Sequence, residues 1–373
     1  MSHDAWIQFR RDLHKIPELG FEEYETQRYL MRKLHEFGLL PEPIAKTGVK
    51  AVLDTRRPGP TLAFRADMDG LAVEEQNKVD YASTHPGKMH ACGHDFHMAC
   101  LLGLADTLTQ QKENLCGKVV FFFQPAEEAL CGSRDVIESG ALSDPKPDAI
   151  IGLHVWDLPL GTIGLKAGPL MAAPAFFELT VTGVGGHGAE PFKCKNPISV
   201  ASQIVSSFDT LANSLTHPTK PLVISVCSLN AGNASNVIPD TATLRGTIRT
   251  FDDELMPQAL SLLATNAERI ASAFGCHTEF TTKHYHGTVY NHPVLAEWAR
   301  KTLDGEFKLV EPTPSMIGED FSSYSQVAPS LFLWLGASPC KLHDPKNNPD
   351  ERAISYGVAA LTRLAEDKLL RKE

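Results

Sequence analysis

Apolar positions along the chain follow two rhythms, and the change between them divides it. Trp6, Phe9, Leu13 and Ile16 recur at helical spacing until Pro17 stops the run. A second helix is predicted over residues 22–37, with Gly38 as its C-terminal cap. Strands follow at 49–53 and 61–64. Segments 118–123 and 149–153 read as continuous apolar runs, which suits strands covered on both faces in a parallel sheet. Helices over 96–108 and 134–139 separate them. This alternation predicts an open α/β sheet whose sites lie after strand ends or at helix starts.

Near Phe176 the pattern changes. Residues 176–182 alternate, and a glycine-rich turn, Gly183-Val184-Gly185-Gly186-His187-Gly188, comes next. Asn196-Pro197 is a good N-cap followed by a good first helical residue. Strands at 222–229 and 241–250, a helix over 253–274 and a strand at 276–282 complete the order β-α-β-β-α-β, a ferredoxin-like α+β signature. After Asn291 the chain returns to helix, strand and helix, with the strand at 331–335. The expectation is a discontinuous first domain, 1–176 and 290–373, carrying an inserted domain over 177–289.

Composition narrows the function. At 373 residues two domains are expected, and 43% hydrophobic with 21% charged residues is ordinary for a globular protein. A net charge of -10 argues against nucleic acid or an anionic membrane as the main partner. The first residues lack a basic stretch and a long apolar stretch, and no apolar run is long enough to span a bilayer, so a cytoplasmic protein is predicted. The eight cysteines have no framework spacing and read as free thiols. Cys100, Cys116, Cys131, Cys227 and Cys276 are expected to be packing residues.

The chemistry concentrates at a few points. Cys92 and His94, in His90-Ala91-Cys92-Gly93-His94-Asp95, offer a thiolate and an imidazole to a divalent metal. The plainer alternative is a buried thiol beside a helix start. Asp95 fits a helix cap or a brace behind a ligand histidine. Glu127 and Glu128 follow a buried strand, so one could ligate a metal and the other act as base on a water. They could equally be an acidic helix start. His154 ends a strand and His343 lies in a loop after one; each could complete a ligand set or be structural. Asp67 and Asp69 could brace the site or only shape the turn at Gly70. In the insert, His187 could donate to an oxyanion, and Asn236 and Arg249 could grip a carboxylate. Alone, Asn236 reads as a turn cap and Arg249 as half of a surface ion pair. Gly183-x-Gly185-Gly186 does not fit a dinucleotide fingerprint. The ensemble points to metal-assisted hydrolysis.

Together with Arg10-Arg11-Asp12-Leu13-His14, Pro17-Glu18-Leu19-Gly20-Phe21 and segments 65–70, 89–95, 124–128, 152–155, 185–187, 236–240, 246–250 and 318–321, these residues resemble the M20 metallopeptidase family in its aminoacylase-like amidohydrolase branch. The resemblance covers nearly the whole chain. It implies a zinc-peptidase-like catalytic domain with a ferredoxin-like lid that often dimerises. It further implies two divalent metal ions (Zn2+, Mn2+ or Co2+) on Cys92, His94, Glu128, His154 and His343, with Cys92 as the bridge. Glu127 matches the general base, and His187, Asn236 and Arg249 match lid residues that meet the substrate. The implied substrates are small N-acyl amino acids. His94-Asp95-Phe96-His97-Met98, Tyr285-His286, Tyr290-Asn291-His292, Gly318-Glu319-Asp320-Phe321 and Asn348-Pro349-Asp350-Glu351 resemble N-acetyldiaminopimelate deacetylases, within a frame shared with hippurate and auxin-conjugate hydrolases. Glu190, Phe192 and Asp157 depart from the branch pattern. Alternatives are a dipeptidase or carboxypeptidase on the same metals, or a metal-binding protein without catalysis, against which Glu127 argues.

Overall fold

The computed structural model describes residues 3–129, 131–217, 219–283 and 286–370. They form two compact units. The first comprises Met1–Leu170, Tyr290–Thr313 and Asp320–Glu373, the second Met171–Val289 and Pro314–Glu319. The second unit thus begins a few residues before the change of rhythm at Phe176 and reclaims a short stretch late in the chain.

In the first unit an eight-stranded sheet runs in the order Glu42–Ile44, Gly48–Asp54, Lys118–Gln124, Thr61–Asp67, Ala149–Trp156, Ser330–Gly336, Thr162–Gly164 and Lys308–Val310. Its four central strands are parallel. On either side Gly48–Asp54 and Thr162–Gly164 pair antiparallel, so the sheet is mixed where the apolar runs predicted a parallel one. The central strands are almost wholly buried, which is why they read as unbroken apolar segments. Helices His3–His14, Tyr24–Glu36, His94–Gln110 and Ala353–Leu369 contribute to the core of this unit. Gly38 adopts φ +81°, the left-handed conformation that its capping role requires. Helix His94–Gln110 is buried on nearly every face, so its apolar residues show no single stripe.

The second unit contains a four-stranded antiparallel sheet in the order Leu222–Ala231, Thr241–Thr250, Ala173–Thr182, His277–Lys283. With helices Pro197–Leu215 and Leu255–Ala273 this is the ferredoxin-like arrangement. Phe177, Leu179 and Val181 alternate into a core shared with Val200, Ile204, Phe208 and Leu263, whereas Phe176, Glu178 and Thr180 are half-buried. Asn196 caps the first helix by accepting the Ile198 N–H at 3.0 Å. All eight cysteines are free. Cys227 corrects the packing expectation: it is exposed, on a strand whose register shifts between Val226 and Ser228. Among the described residues no helix is long and apolar enough to cross a membrane.

Candidate metal centre

The first unit brings Cys92, His94, Glu127, Glu128, His154 and His343 together, and each is placed by its own backbone environment. Cys92 lies in the turn before helix His94–Gln110. Gly93 permits that turn: it sits at φ +91°, and a Cβ there would come 2.5 Å from Val155 Cγ2. His154 lies near the end of strand Ala149–Trp156. Its Nδ1 donates to the Val155 carbonyl at 2.7 Å, which leaves Nε2 facing Cys92 Sγ at 3.5 Å. His343 holds a left-handed φ of +64°. Its N–H donates to the Ala91 carbonyl at 2.9 Å, and Asn347 Nδ2 reaches the same oxygen at 2.8 Å. Its Nε2 lies 3.2 Å from Glu128 Oε1.

Glu127 and Glu128 occupy the turn after strand Lys118–Gln124. Asp69 builds that turn, accepting the Glu127 N–H at 3.1 Å on one oxygen and the Glu128 N–H at 3.0 Å on the other. Asp69 Oδ1 also stands 3.2 Å from His94 Nδ1. His94 Nε2 finds no hydrogen-bond partner among the described residues, although it is fully buried. Around that nitrogen lie Asp67 Oδ2 at 3.7 Å, Glu127 Oε2 at 3.9 Å and Glu128 Oε1 at 4.0 Å. Against the effect of burial, Asp67, Asp69 and Glu128 raise the His94 imidazole to about 10. Burial, then Glu128 and Glu127, push the Cys92 thiol well above its ordinary range.

The donor set fits a pair of cations. Cys92, His94 and His154 form one triad and Cys92, Glu128 and His343 another, the atoms of each lying within 4.8 Å of one another. The two share only the thiol. A sulfur, imidazole nitrogens and a carboxylate are ligands for borderline divalent ions. A buried carboxylate cluster around an orphaned imidazole nitrogen also calls for positive charge. Glu127 falls outside both triads and in two further groups, one with His94 and Glu128 and one with Glu319 and Asp320.

A profile of the peptidase family M20/M25/M40 matches residues 63–367. The chain belongs to this family. The N-acetylcysteine deacetylase of Bacillus subtilis (strain 168) is 39% identical over 368 residues, which cover 97% of this chain and 96% of that protein. The N-acetyldiaminopimelate deacetylase of the same strain is 38% identical over 371 residues, covering 97% and 98%. A solved dinuclear metal binding peptidase from the M20 family of Bacillus subtilis matches with a TM-score of 0.86 at 37% identity, covering 97% of each chain. This M20 peptidase is accordingly a hydrolase of amide bonds.

Not every expected residue of this M20 peptidase joins the cluster. Asp95 does not cap the helix, and its hydrogen-bond partners among the described residues are not candidate ligands. The helix is entered through Gly93 without a side-chain cap, and the Asp95 carboxylate takes Arg10 Nε at 2.7 Å and His14 Nδ1 at 2.8 Å. Asp67 lies against the cluster, 3.7 Å from His94 Nε2, and accepts from Arg65 at 2.7 Å and from His97 Nδ1 at 2.5 Å. His187 and Asn236 lie exposed in the second unit, where a two-residue strand containing His187 pairs with Val237–Ile238. His187 Nδ1 accepts the Ala189 N–H at 3.1 Å, so its proton sits on Nε2. Arg249, on strand Thr241–Thr250 of that unit, donates to Thr247 Oγ1 at 2.5 Å and covers the Phe176 ring at 4.9 Å. No carboxylate among the described residues pairs with it. Tyr285 lies outside the described residues.

Residues 69, 97 and 23 carry more of the centre than their sequence context indicates. Glu23, fully buried, accepts the Ala126 N–H at 2.8 Å and the Thr47 hydroxyl at 2.5 Å, fixing Ala126 at φ +52° just before Glu127. Burial pushes its carboxyl up to about 7, against the hydrogen bonds from Thr47 and Ala126. The folded protein then holds a proton that the unfolded chain releases, so this group favours folding less as pH climbs from 4.5 to about 7. Glu23→Gln keeps an acceptor for Ala126 and offers a donor to the Thr47 oxygen. Relative to the parent, the variant is expected to gain stability across that window, reaching about 2–3 kcal/mol near pH 8 and staying level above it. Paired denaturant titrations across the window check this; an offset independent of pH rejects it.

Proposed function

We propose that this M20 peptidase hydrolyses the amide of N-acyl-L-amino acids bearing a free carboxylate, with N-acetyl-diaminopimelate and N-acetylcysteine as leading candidates. The observation that carries the reading is Glu127, a carboxylate outside both triads yet 3.9 Å from His94 Nε2. The printed activities of the relatives, deacetylation of N-acetylcysteine and of N-acetyldiaminopimelate, support the substrate class. Zn2+, Mn2+ or Co2+ on Cys92, His94, Glu128, His154 and His343 would polarise the scissile carbonyl and acidify a water. Glu127 takes the proton of the attacking water and hands it to the leaving amine. Asp69 keeps Glu127 and Glu128 in register by holding both of their amides. His187, its proton on Nε2, donates to the oxyanion. Arg249, with Asn236, holds the substrate carboxylate.

The second unit serves in this reading as lid and dimerisation domain. Arg249 stands at the Thr250 end of its strand, whereas His187 and Asn236 belong to the ribbon before the Thr241 end. The extended chain from Thr241 to Arg249 spans roughly 27 Å. An N-acyl amino acid is far shorter, so one copy cannot offer it both ends. A homodimer can, with one partner supplying Arg249 and the other His187 and Asn236.

The test is a panel assay on the metal-reconstituted protein: N-acetylcysteine, N-acetyl-diaminopimelate, hippurate, a dipeptide, and the carboxamide of one N-acetyl amino acid. N-acetyl acids are expected to be turned over and the carboxamide to be poor. Arg249→Met should lower kcat/KM for the acids by about 10–100-fold, the loss of a charge-assisted hydrogen bond of about 1.5–3 kcal/mol, and should remove the preference over the carboxamide. Rapid dipeptide cleavage with inert N-acetyl acids would replace this reading with a peptidase.

A further inference from the structure

Strand Ala149–Trp156 pairs with Thr61–Asp67 only as far as Gly152. Beyond that point a side chain takes over. The Val155 N–H donates to His97 Nε2 at 2.9 Å. A backbone N–H can only donate, so this nitrogen carries a lone pair and the His97 proton resides on Nδ1. That proton points to Asp67 Oδ1 at 2.5 Å. Asp67 is anchored in turn by Arg65, whose other donors reach Gln124 at 2.9 Å and Asp320 at 3.1 Å. All of these side chains are buried.

The same peptide serves a second imidazole. The Val155 carbonyl accepts from His154 Nδ1 at 2.7 Å, and that contact turns His154 Nε2 toward Cys92 Sγ. The His97 and His154 rings also stand edge to face, with centroids 4.4 Å apart. On its other side Asp67 lies 3.7 Å from His94 Nε2. His97 therefore touches the supports of two candidate ligands while belonging to neither triad with Cys92; its own grouping is with Asp67 and His94.

We infer that His97, in its neutral Nδ1–H form, is a positioning residue that sets the His154 ring through the Val155 peptide and holds Asp67 beside His94. The inference rests on the reading of the cluster as a metal centre. Its geometric part, the tautomer, stands apart from that reading.

The experiment compares the parent, His97→Gln and His97→Phe in Co2+ titrations, following the cobalt–thiolate absorption of Cys92. His97→Gln can still offer an oxygen to the Val155 N–H; His97→Phe fills the space with no polar atom. His97→Phe is expected to bind Co2+ about 10–100-fold more weakly, as outer partners of metal ligands generally do, with an altered thiolate band. His97→Gln should recover most of both. Parental affinity and spectrum in His97→Phe would overturn the inference, as would an equal loss in the two variants. If His97→Phe does not fold, the decision passes to two-bond 1H–15N correlations of the parent labelled at histidine. An unprotonated Nε2 on His97 is expected there, and a proton on that nitrogen overturns the inference. A parent that binds no Co2+ through its thiol would instead sink the metal-centre reading, leaving the tautomer to be judged by NMR.

Discussion

Glu127→Gln is expected to lower kcat by about 10²–10⁴-fold, the usual contribution of a positioned general base, with both metal equivalents retained. The substitution keeps the shape of the side chain and leaves the Glu127 amide free to bond Asp69 as before. It removes only the ability to accept a proton from water. Glu127 is buried and its Oε2 stands 3.9 Å from His94 Nε2, near enough that a direct ligand role is a fair rival. Metal analysis beside single-turnover kinetics separates the two. Loss of one equivalent would make Glu127 a ligand. A kcat within tenfold of the parent would place the base elsewhere.

Cys92→Ala is expected to have the largest effect on metal content. Its sulfur belongs to both triads, so one substitution weakens both sites. His343→Ala, by contrast, reaches only the triad with Glu128. Metal affinity in Cys92→Ala should fall by more than the roughly 10–100-fold seen for outer partners, because a donor atom itself is gone. After dialysis the parent is expected to keep two equivalents, His343→Ala about one and Cys92→Ala close to none, with activity following content. Two retained equivalents in Cys92→Ala would show that the thiol is not shared.

The sequence revealed more of the centre's donors than of their supports. Cys92, His94, Glu127, Glu128, His154 and His343 are chemically conspicuous residues at strand ends and turns, and the structure gathers all six. Asp69 was readable as a brace or as a turn residue, but its partners were not, because what it binds are main-chain amides 58 and 59 residues away. Glu23 is hidden for the same reason, its partner being the Ala126 amide. His97 had one available signal, its position three residues after His94 on a helix, which puts both on one face. Asp95 misled because a helix start suggests a cap, whereas Arg10 and His14, from the first helix, claim its carboxylate. In the fold, the apolar runs announced the central strands. Three-residue strands such as Glu42–Ile44, at a sheet edge, and Thr162–Gly164, one place in from the other edge, are too short to show a period, and the apolar pattern of Gly48–Asp54 marks a strand without marking its antiparallel direction. The return of Pro314–Glu319 to the second unit leaves no trace in the pattern of apolar positions.

Placing sulfur where the triads meet has a chemical consequence beyond hydrolysis. A carboxylate in that position would be inert to peroxide, but a thiolate can be oxidised stepwise to sulfenic and sulfinic acid. Since that one atom is common to both triads, a single oxidation event would disarm the whole centre. Cys92 is only 8% exposed, so access for the oxidant, rather than the reactivity of the sulfur alone, governs how readily this M20 peptidase is inactivated.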